Sequence, residues 1–317
     1  MKEKLFKNKT AVIILALIVS ALWGTLYPMI KVGYQTSEID TKNVASIILY
    51  AGLRFFISGI LLVIVLAMQK KKLALQKKDA ILPILIVSFF TVILQYVLTY
   101  TGLSMIESSK SSILKQSGFL LLPCVMFLFR KDEKFSVLKV LGASLGFVSV
   151  IVLNSKNMSF FLGVGEIMVI VSSISSAAGQ VISKHYYEKM SPAEFVGWGQ
   201  LFGGLVMVVI GVIFGGKIGR VDLISIGVLL YMCLASIGAN MLWNTLIKYN
   251  DMSTLSVLKS ADPLFASVFS GLLLSENVLN ARFLIALVLI FCAIVLGNIK
   301  FKKRIKQHEN ENRPGRS

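Results

Sequence analysis

Three basic side chains lie inside long apolar stretches of this sequence. Lys115 and Lys259 each follow a serine-rich start to an apolar segment, and Arg54 lies near the middle of an earlier one. A charge at the centre of a bilayer costs about 2.5–3.5 kcal/mol on insertion scales. Such a side chain therefore needs a compensating partner or a functional role. Because all three are cations, the chemistry they offer is the binding of a carboxylate or another anionic group.

The two lysines repeat within the chain. A shift of 144 residues superimposes 109–132 on 253–276 and places Lys115 on Lys259. Each lysine is about seven residues into its segment, which is roughly 10 Å at 1.5 Å per residue. If the two segments enter from opposite sides, the ammonium groups straddle the midplane, one nearer each face. Each could then meet an anionic group from its own side. The alternative is that each side chain extends to the nearer interface.

Two further charged residues have alternative roles. Asp262 is three residues after Lys259 and shares its helix face. That spacing favours a structural ion pair, and the alternative is a carboxylate that carries a coupling proton, because burial disfavours its charged form. Arg54 either contacts a substrate or locks neighbouring helices together, and its position supports both equally.

Uncharged polar and aromatic side chains occur within the same segments. Such groups line a polar cavity or, more commonly, form hydrogen bonds between helices. The candidates for a cavity lining are Trp23, Gln95, Tyr96, Gln180, Gln200, Asn240, Trp243 and Asn244. The small residues Gly199 and Gly203 predict close helix packing instead.

Apolar stretches position all of these residues. The chain has 317 residues, of which 56% are hydrophobic and 15% charged, against about 25% charged in soluble domains. This composition predicts an all-α polytopic membrane protein rather than a soluble one. Hydropathy predicts ten spans near 10–33, 43–68, 80–101, 108–129, 136–154, 162–184, 193–214, 222–247, 252–275 and 279–299.

The basic residues predict the orientation. Of the 33 Lys and Arg residues, 23 lie in the two tails and in the loops that share their side, whereas 7 lie on the other side. This bias places both termini in the cytoplasm. It also accounts for most of the formal net charge of +17 without a nucleic-acid partner. The basic C-terminal tail, 301–317, is expected to be a disordered soluble end, or else to touch anionic lipid.

An odd number of spans in each half inverts the second half. We divide the chain into an N-terminal tail (1–9), a first unit of five spans (10–154), a second unit (160–300) and the C-terminal tail. The two units then cross the membrane in opposite senses. Inverted repeats of this kind are typical of secondary transporters, with a substrate site near the midplane between the units.

Several short motifs resemble the drug/metabolite transporter superfamily, EamA type, over about residues 10–300. They are Trp23-Gly24-Thr25, Leu53-Arg54-Phe55, Gly142 with Gly146, and the stretch from Pro263 to Leu274-Ser275-Glu276. The first half departs from the pattern, since Phe119 stands where the family has proline and Pro123 comes four residues late. Asp132 and Glu133 stand in for the terminal glutamate. The resemblance implies two five-span units and an exporter or importer of small molecules, and it leaves the substrate open.

The sequence therefore predicts a secondary transporter of a small, amino acid-like metabolite that carries a carboxylate or another anionic group. Transport would occur by alternating access between the units, in the cell membrane, without a cofactor. The predicted partners are the substrate and the lipid bilayer, with a homodimer left open. The predicted substrate-binding residues are Lys115, Lys259, Arg54, Asp262, Gln95, Tyr96, Trp23, Gln200, Asn240 and Asn244.

The sequence leaves three alternative functions. A drug or cation exporter and a lipid-carrier flippase of the same fold remain alternatives. The three cations Arg54, Lys115 and Lys259 outnumber the carboxylate of Asp262, and this excess of positive charge disfavours the binding of cationic drugs. An intramembrane enzyme is remote, because no span combines a nucleophile with a base or a set of metal ligands. The sequence also lacks the G-x-x-x-x-G-K-[ST] motif of ATP-driven proteins.

Overall fold

The computed structural model describes residues 2–68, 78–106, 108–115, 118, 137–154, 163–187, 190–274 and 281–298. Every regular element in these ranges is helical. The C-terminal tail and most of the predicted fourth span lie outside the described residues. So do Phe119, Pro123, Asp132, Glu133 and Glu276.

The first half begins with a short helix and continues with long ones. Its elements are α1 (Lys2–Lys7), α2 (Lys9–Thr36), α3 (Val44–Met68), α4 (Lys78–Ser88), a π-helix (Phe89–Leu94), α5 (Gln95–Met105), α6 (Ser108–Leu114) and α7 (Val137–Asn154). The segment from α4 to α5 is continuous, so the predicted third span contains a six-residue π-helical stretch.

The second half has a corresponding series. Its elements are α8 (Val164–Tyr186), α9 (Pro192–Ile213), α10 (Leu223–Tyr249), α11 (Met252–Leu258), a 3-10 turn (Lys259–Ala261), α12 (Asp262–Leu274) and α13 (Ala281–Asn298). Here the interruption lies between α11 and α12, in the predicted ninth span.

Within the described ranges, seven helical segments are long and apolar enough to cross a membrane. They correspond to the predicted spans one, two, three, six, seven, eight and nine. The predicted fifth and tenth spans correspond to the shorter apolar helices α7 and α13. The described residues therefore show a polytopic all-helical protein, while the total of ten spans and the orientation of the termini stay predictions.

Polar side chains fix the starts of several helices. Ser191 and Glu194 form a capping box at the start of α9, with Pro192 as the first helical residue. Asp251 accepts a hydrogen bond from the backbone N–H of Thr254 at the start of α11. Each cap satisfies a backbone donor that the helix itself leaves open, so the helix begins where the sequence places the cap.

Helices α3 and α9 pack along their length with their backbones in close approach. A Cβ added at Gly59 would lie 2.3 Å from the nitrogen of Leu201, and one added at Gly204 would lie 2.2 Å from the nitrogen of Phe56. Only glycine fits at such positions. The contact joins one helix from each half of the chain.

The remaining long helices also pack across the halves. Helix α2 packs on α10 and α12, whereas α8 packs on α5 and the π-helix, and α7 packs on α13. The first long helix of each half thus packs mainly against helices of the other half. We would expect two inverted units to pack against each other in this way. The division of the chain into such units remains a proposal.

Both intramembrane lysines lie where a helix is interrupted. Helix α6 ends at Leu114 and Lys115 is in a turn, and Lys259 opens the 3-10 turn between α11 and α12. Discontinuous helices in transporters place backbone and side-chain groups at the substrate site. Both lysines therefore lie at helix interruptions of the kind that form substrate sites in transporters.

Candidate functional site

A single cavity brings the predicted residues together. Its volume is about 110 Å³, and it lies between α2, α3, α5, α8, α9, α10 and the two interrupted segments. On the same measure one water molecule needs roughly 10–15 Å³, so the space is that of roughly seven to eleven waters or one small metabolite. All ten predicted site residues line it: Trp23, Arg54, Gln95, Tyr96, Lys115, Gln200, Asn240, Asn244, Lys259 and Asp262. Whether they bind substrate stays a prediction.

Lys259 is enclosed by two indole rings and a carboxylate. Its Nζ lies 3.2 Å from the ring centroid of Trp23 and 4.9 Å from that of Trp243. The same Nζ lies 2.9 Å from Oδ2 of Asp262, and both charged side chains are buried. Lys259 and Asp262 therefore form an ion pair, accompanied by two cation–π contacts, and whether the pair has a structural role or carries a coupling proton stays a prediction.

Lys115 has different surroundings. Its Nζ donates hydrogen bonds to Thr99 Oγ1 at 2.7 Å and to Ser172 Oγ at 2.8 Å. Each hydroxyl also donates to a backbone carbonyl of its own helix, so each accepts from the lysine. Within the described residues, no carboxylate lies within ion-pair distance of Lys115.

The two lysines occupy equivalent places with different chemistry. Each contacts the residue sixteen positions earlier, which is Thr99 for Lys115 and Trp243 for Lys259. The 144-residue shift places Gly118 opposite Asp262. The second half therefore supplies a carboxylate three residues after its lysine, and the first half supplies none at that position. Both lysines lie at interrupted helices beside one cavity but have different partners, and their predicted position on either side of the membrane midplane stays a prediction.

Arg54 is 1% exposed and crosses between three helices. Its Nε donates to Ser236 Oγ at 2.9 Å, and its Nη1 donates to the hydroxyl of Tyr100. Its guanidinium lies 4.9 Å from the ring centroid of Phe55. These contacts lock α3 to α5 and α10. Because Arg54 also lines the cavity, the structure is compatible with both roles that the sequence left open.

The positive side chains outnumber the negative ones at the cavity. Arg54, Lys115 and Lys259 line it together with one carboxylate, that of Asp262. In the described part of the chain, no carboxylate lies within 4.0 Å of the basic nitrogens of Arg54 or Lys115. Buried cations strongly favour an anionic partner.

Amide groups provide further polar surface. The side chain of Gln200 is buried, and its Oε1 has no hydrogen-bond partner in the described residues. Asn240 and Asn244 each donate to a carbonyl one turn earlier on α10. Trp243 Nε1 donates to Oε1 of Gln180 at 2.8 Å, so Gln180 holds an indole of the lysine site.

Tyrosine hydroxyls connect helices next to the cavity. Tyr34 near the end of α2 donates to the carbonyl of Tyr100 on α5 at 3.2 Å. Tyr187, just after α8, donates to Oδ1 of Asn244 on α10. A shift of 153 residues places Tyr34 on Tyr187, and the shift of 144 places Tyr100 on Asn244, so the two contacts lie at corresponding positions of the halves. Under the predicted topology they lie toward opposite faces of the membrane.

Sequence reasoning missed several cavity residues. Thr99 was not singled out, although its spacing to Lys115 equals that of Trp243 to Lys259. Gly199 was expected to pack closely against another helix, and this was wrong. A Cβ at Gly199 would meet no atom within 4 Å, because the residue faces the cavity. Gly203 does pack closely, against Val92 and Ser88. Within the described ranges, no three His, Cys, Asp or Glu side chains could hold a metal ion.

The fold and the cavity define a class of protein: a multi-pass helical membrane protein with a polar site buried among its spans. The sequence profile of the EamA-like transporter family matches residues 10–155 and 163–299, which together are most of the chain. The chain belongs to the EamA-like transporter family. It is therefore a membrane transporter and not an enzyme, and in bacteria such a protein lies in the cell membrane.

Two curated relatives agree with this assignment. The chain is 25% identical over 294 residues to the uncharacterized transporter YoaV of Bacillus subtilis (strain 168), covering 90% of this chain and 96% of the relative. It is 28% identical over 305 residues to the uncharacterized transporter YvbV of the same organism, covering 95% of each. A solved crystal structure shares the fold with a TM-score of 0.75 at 16% identity, over 94% of this chain and 99% of that chain.

Proposed function

We propose that this transporter carries a small metabolite with a carboxylate or another anionic group, by alternating access between its two halves. The observation that carries the proposal is the excess of positive charge at the cavity. Lys115 and Arg54 contact hydroxyls and aromatic rings rather than carboxylates in the described residues. A bound anion would supply the missing negative charge.

The same observations weigh against the alternatives. A cationic drug would be repelled by the uncompensated cations, since like charges in a low-dielectric site interact strongly. A lipid-linked carrier needs far more space than the 110 Å³ of this cavity. The size of the cavity and its charge together favour a small anion.

The test compares transport by the wild-type protein and Lys115→Met in proteoliposomes. A panel of labelled carboxylates, amino acids and cationic dyes first identifies a transported solute. Methionine keeps the length of the side chain and removes its charge. We expect the apparent affinity for an anionic solute to fall about ten- to a hundredfold, the value of one or two hydrogen bonds to a charged group.

The matched control is Lys42→Met, which removes the same charge from an exposed position outside the cavity. Lys42→Met should transport like the wild type. Unchanged affinity in Lys115→Met, or a panel in which only cations are transported, would contradict the proposed function.

A further inference from the structure

The surroundings of Lys259 form a site for an ammonium group. The two indole rings have centroids 5.4 Å apart and planes at 63°, and the ammonium nitrogen lies near both ring faces. The carboxylate of Asp262 completes the enclosure. Aromatic faces together with an acidic group are the general means by which proteins recognise ammonium cations. We call Trp23, Trp243 and Asp262 the ammonium cage.

The indole walls of the cage have contacts that do not involve the lysine. Trp243 donates a hydrogen bond to Gln180, and its ring packs edge-on against that of Trp23. Trp23 belongs to the long helix α2 of the other half, and Asp262 is the first residue of α12. The two rings are therefore positioned without Lys259, and the cage joins the two halves of the chain at the cavity.

Within this arrangement, the ammonium of Lys259 is the charged group that side-chain rotation can move. Its ammonium is carried on a flexible four-carbon stem, and its backbone lies in a 3-10 turn rather than within an α-helix. All three cage residues and Lys259 line the cavity. An incoming solute can thus reach both the cage and the ammonium that fills it.

We propose that the cage receives the ammonium group of a zwitterionic solute, such as an α-amino acid, and that the ammonium of Lys259 fills the cage when the solute is absent. On binding, the ammonium of the solute pairs with Asp262 and the indole faces. Lys259 moves out and pairs with the carboxylate of the solute. One ion pair becomes two, and the excess charge of the cavity is unchanged. This inference rests on the proposed function, since it narrows the anionic solute to a zwitterion.

The exchange predicts that the site prefers a zwitterion over an anion without an ammonium group. A solute with a carboxylate alone could draw Lys259 out of the cage only by leaving Asp262 buried without its cation, which is strongly unfavourable. A solute with an ammonium group replaces the cation that it displaces. The zwitterion should therefore bind more tightly than the same molecule without its amine.

The first experiment refills the cage after the lysine is removed. Trp198→Phe is used as the background, because it leaves Trp23 and Trp243 as the only tryptophans. In Lys259→Ala, methylammonium chloride should raise the melting temperature by several degrees and change the tryptophan emission. Sodium chloride at equal concentration should do neither. The double variant Lys259→Ala/Asp262→Asn should not respond to methylammonium.

Lys115→Ala is the matched control, because Lys115 is surrounded by hydroxyls instead of indoles. It should not respond to methylammonium. No response in folded Lys259→Ala, or an equal response in Lys115→Ala, would overturn the ammonium cage.

The second experiment uses the wild-type protein and does not depend on the folding of a variant. Thermal stabilisation is measured with each protein amino acid, its N-acetyl derivative and its decarboxylated amine. We expect at least one free amino acid to stabilise the protein at a concentration at least tenfold lower than its N-acetyl derivative. Equal effects of the free and acetylated forms overturn the zwitterion proposal and leave the proposed function intact.

Two other outcomes of this experiment would each contradict one of the proposals. If no amino acid has an effect, the zwitterion proposal is wrong, and binding of carboxylates without an amine then decides the proposed function separately. If the amines act more strongly than both other forms, the proposed function is wrong, and the cage remains as the site of a cationic solute.

Discussion

At the scale of single residues, Gly199 supplies open space in the cavity. It lies on α9 beside Gln200, and a Cβ at this position would meet no atom within 4 Å. A larger side chain here would enter the space where we place the solute, while the packing of α9 on α3 uses other glycines, among them Gly204.

Gly199→Leu should therefore abolish transport without destabilising the protein. The leucine side chain has room to extend into the cavity and removes most of the volume available to a solute. Transport in proteoliposomes and the melting temperature in detergent are the two measurements. Gly227→Leu is the control, since Gly227 is exposed and also has no atom within 4 Å of an added Cβ. Transport by Gly199→Leu at the rate of Gly227→Leu would contradict the placement of the solute.

Single residues also mark what a sequence can and cannot reveal. Eight charged or amide side chains and two aromatic ones in apolar segments are predicted to meet at one site, and all ten line the cavity. A charged or amide group has a high free-energy cost inside a membrane, so its presence in an apolar segment indicates a specific role. Thr99 and Gly199 carry no such cost, so hydropathy does not distinguish them from packing residues. The partners of Arg54, Ser236 and Tyr100, depend on the rotation of two other helices, which no local pattern encodes.

At the scale of elements, the contact of α3 with α9 is the closest approach between the halves that we describe. The glycines on both helices allow the backbones to touch, as at Gly59 with Leu201 and at Gly204 with Phe56. Such a contact leaves little space for relative sliding. We expect these two helices to move as one unit during transport.

Gly204→Ala should destabilise the protein by about 1–3 kcal/mol, the usual effect of overpacking a tight contact. The added methyl group would lie 2.2 Å from a backbone nitrogen that cannot rotate away. Denaturant unfolding in detergent measures the change. Gly227→Ala, at an exposed helical position, should instead be neutral or stabilising, since alanine favours a helix. Equal stability of the two variants would show that the contact tolerates a side chain.

Helix bounds were largely predictable, and helix interruptions were not. The second span was predicted near 43–68, and the structure has α3 over Val44–Met68. Apolar length and flanking polar residues suffice for such a prediction. The π-helix at Phe89–Leu94 leaves no such trace in the sequence. It packs against α8, where Ser175 donates to the carbonyl of Phe90 at 2.7 Å.

At the scale of the whole molecule, the hydrogen bonds of Tyr34 and Tyr187 each connect two helices near the cavity. Helices α2 and α5 pack mainly on helices of the other half, and so does α8. The bond from Tyr34 to Tyr100 joins α2 to α5, and the bond from Tyr187 to Asn244 joins the end of α8 to α10, which Trp243 also joins through Gln180. Alternating access requires that such contacts open one at a time.

Tyr34→Phe and Tyr187→Phe should shift the access of the cavity toward opposite sides of the membrane. Each loses one hydrogen bond, worth about 0.5–1.5 kcal/mol, which corresponds to roughly a two- to twelvefold shift in the equilibrium between the two states. The measurement is labelling of Ser176→Cys, in the cavity, by a membrane-impermeant thiol reagent from either side. The native cysteines are replaced beforehand.

Opposite changes in labelling from the two sides are the expected result, and the side for each variant also tests the predicted orientation. The same Ser176→Cys protein with both tyrosines intact is the reference. If both variants change labelling from the same side, the two tyrosines do not act as separate closures.

The first half of the chain has no space for a carboxylate at the position that corresponds to Asp262, the partner of Lys259. Gly118, its counterpart, donates its backbone N–H to Ser173 Oγ at 2.8 Å, and a Cβ there would lie 2.3 Å from the carbonyl oxygen of Ser173. An aspartate at this position would collide with the backbone of α8. The single substitution Gly118→Asp therefore cannot reproduce the Lys259–Asp262 pair in the first half, and a carboxylate partner for Lys115 would have to come from another position.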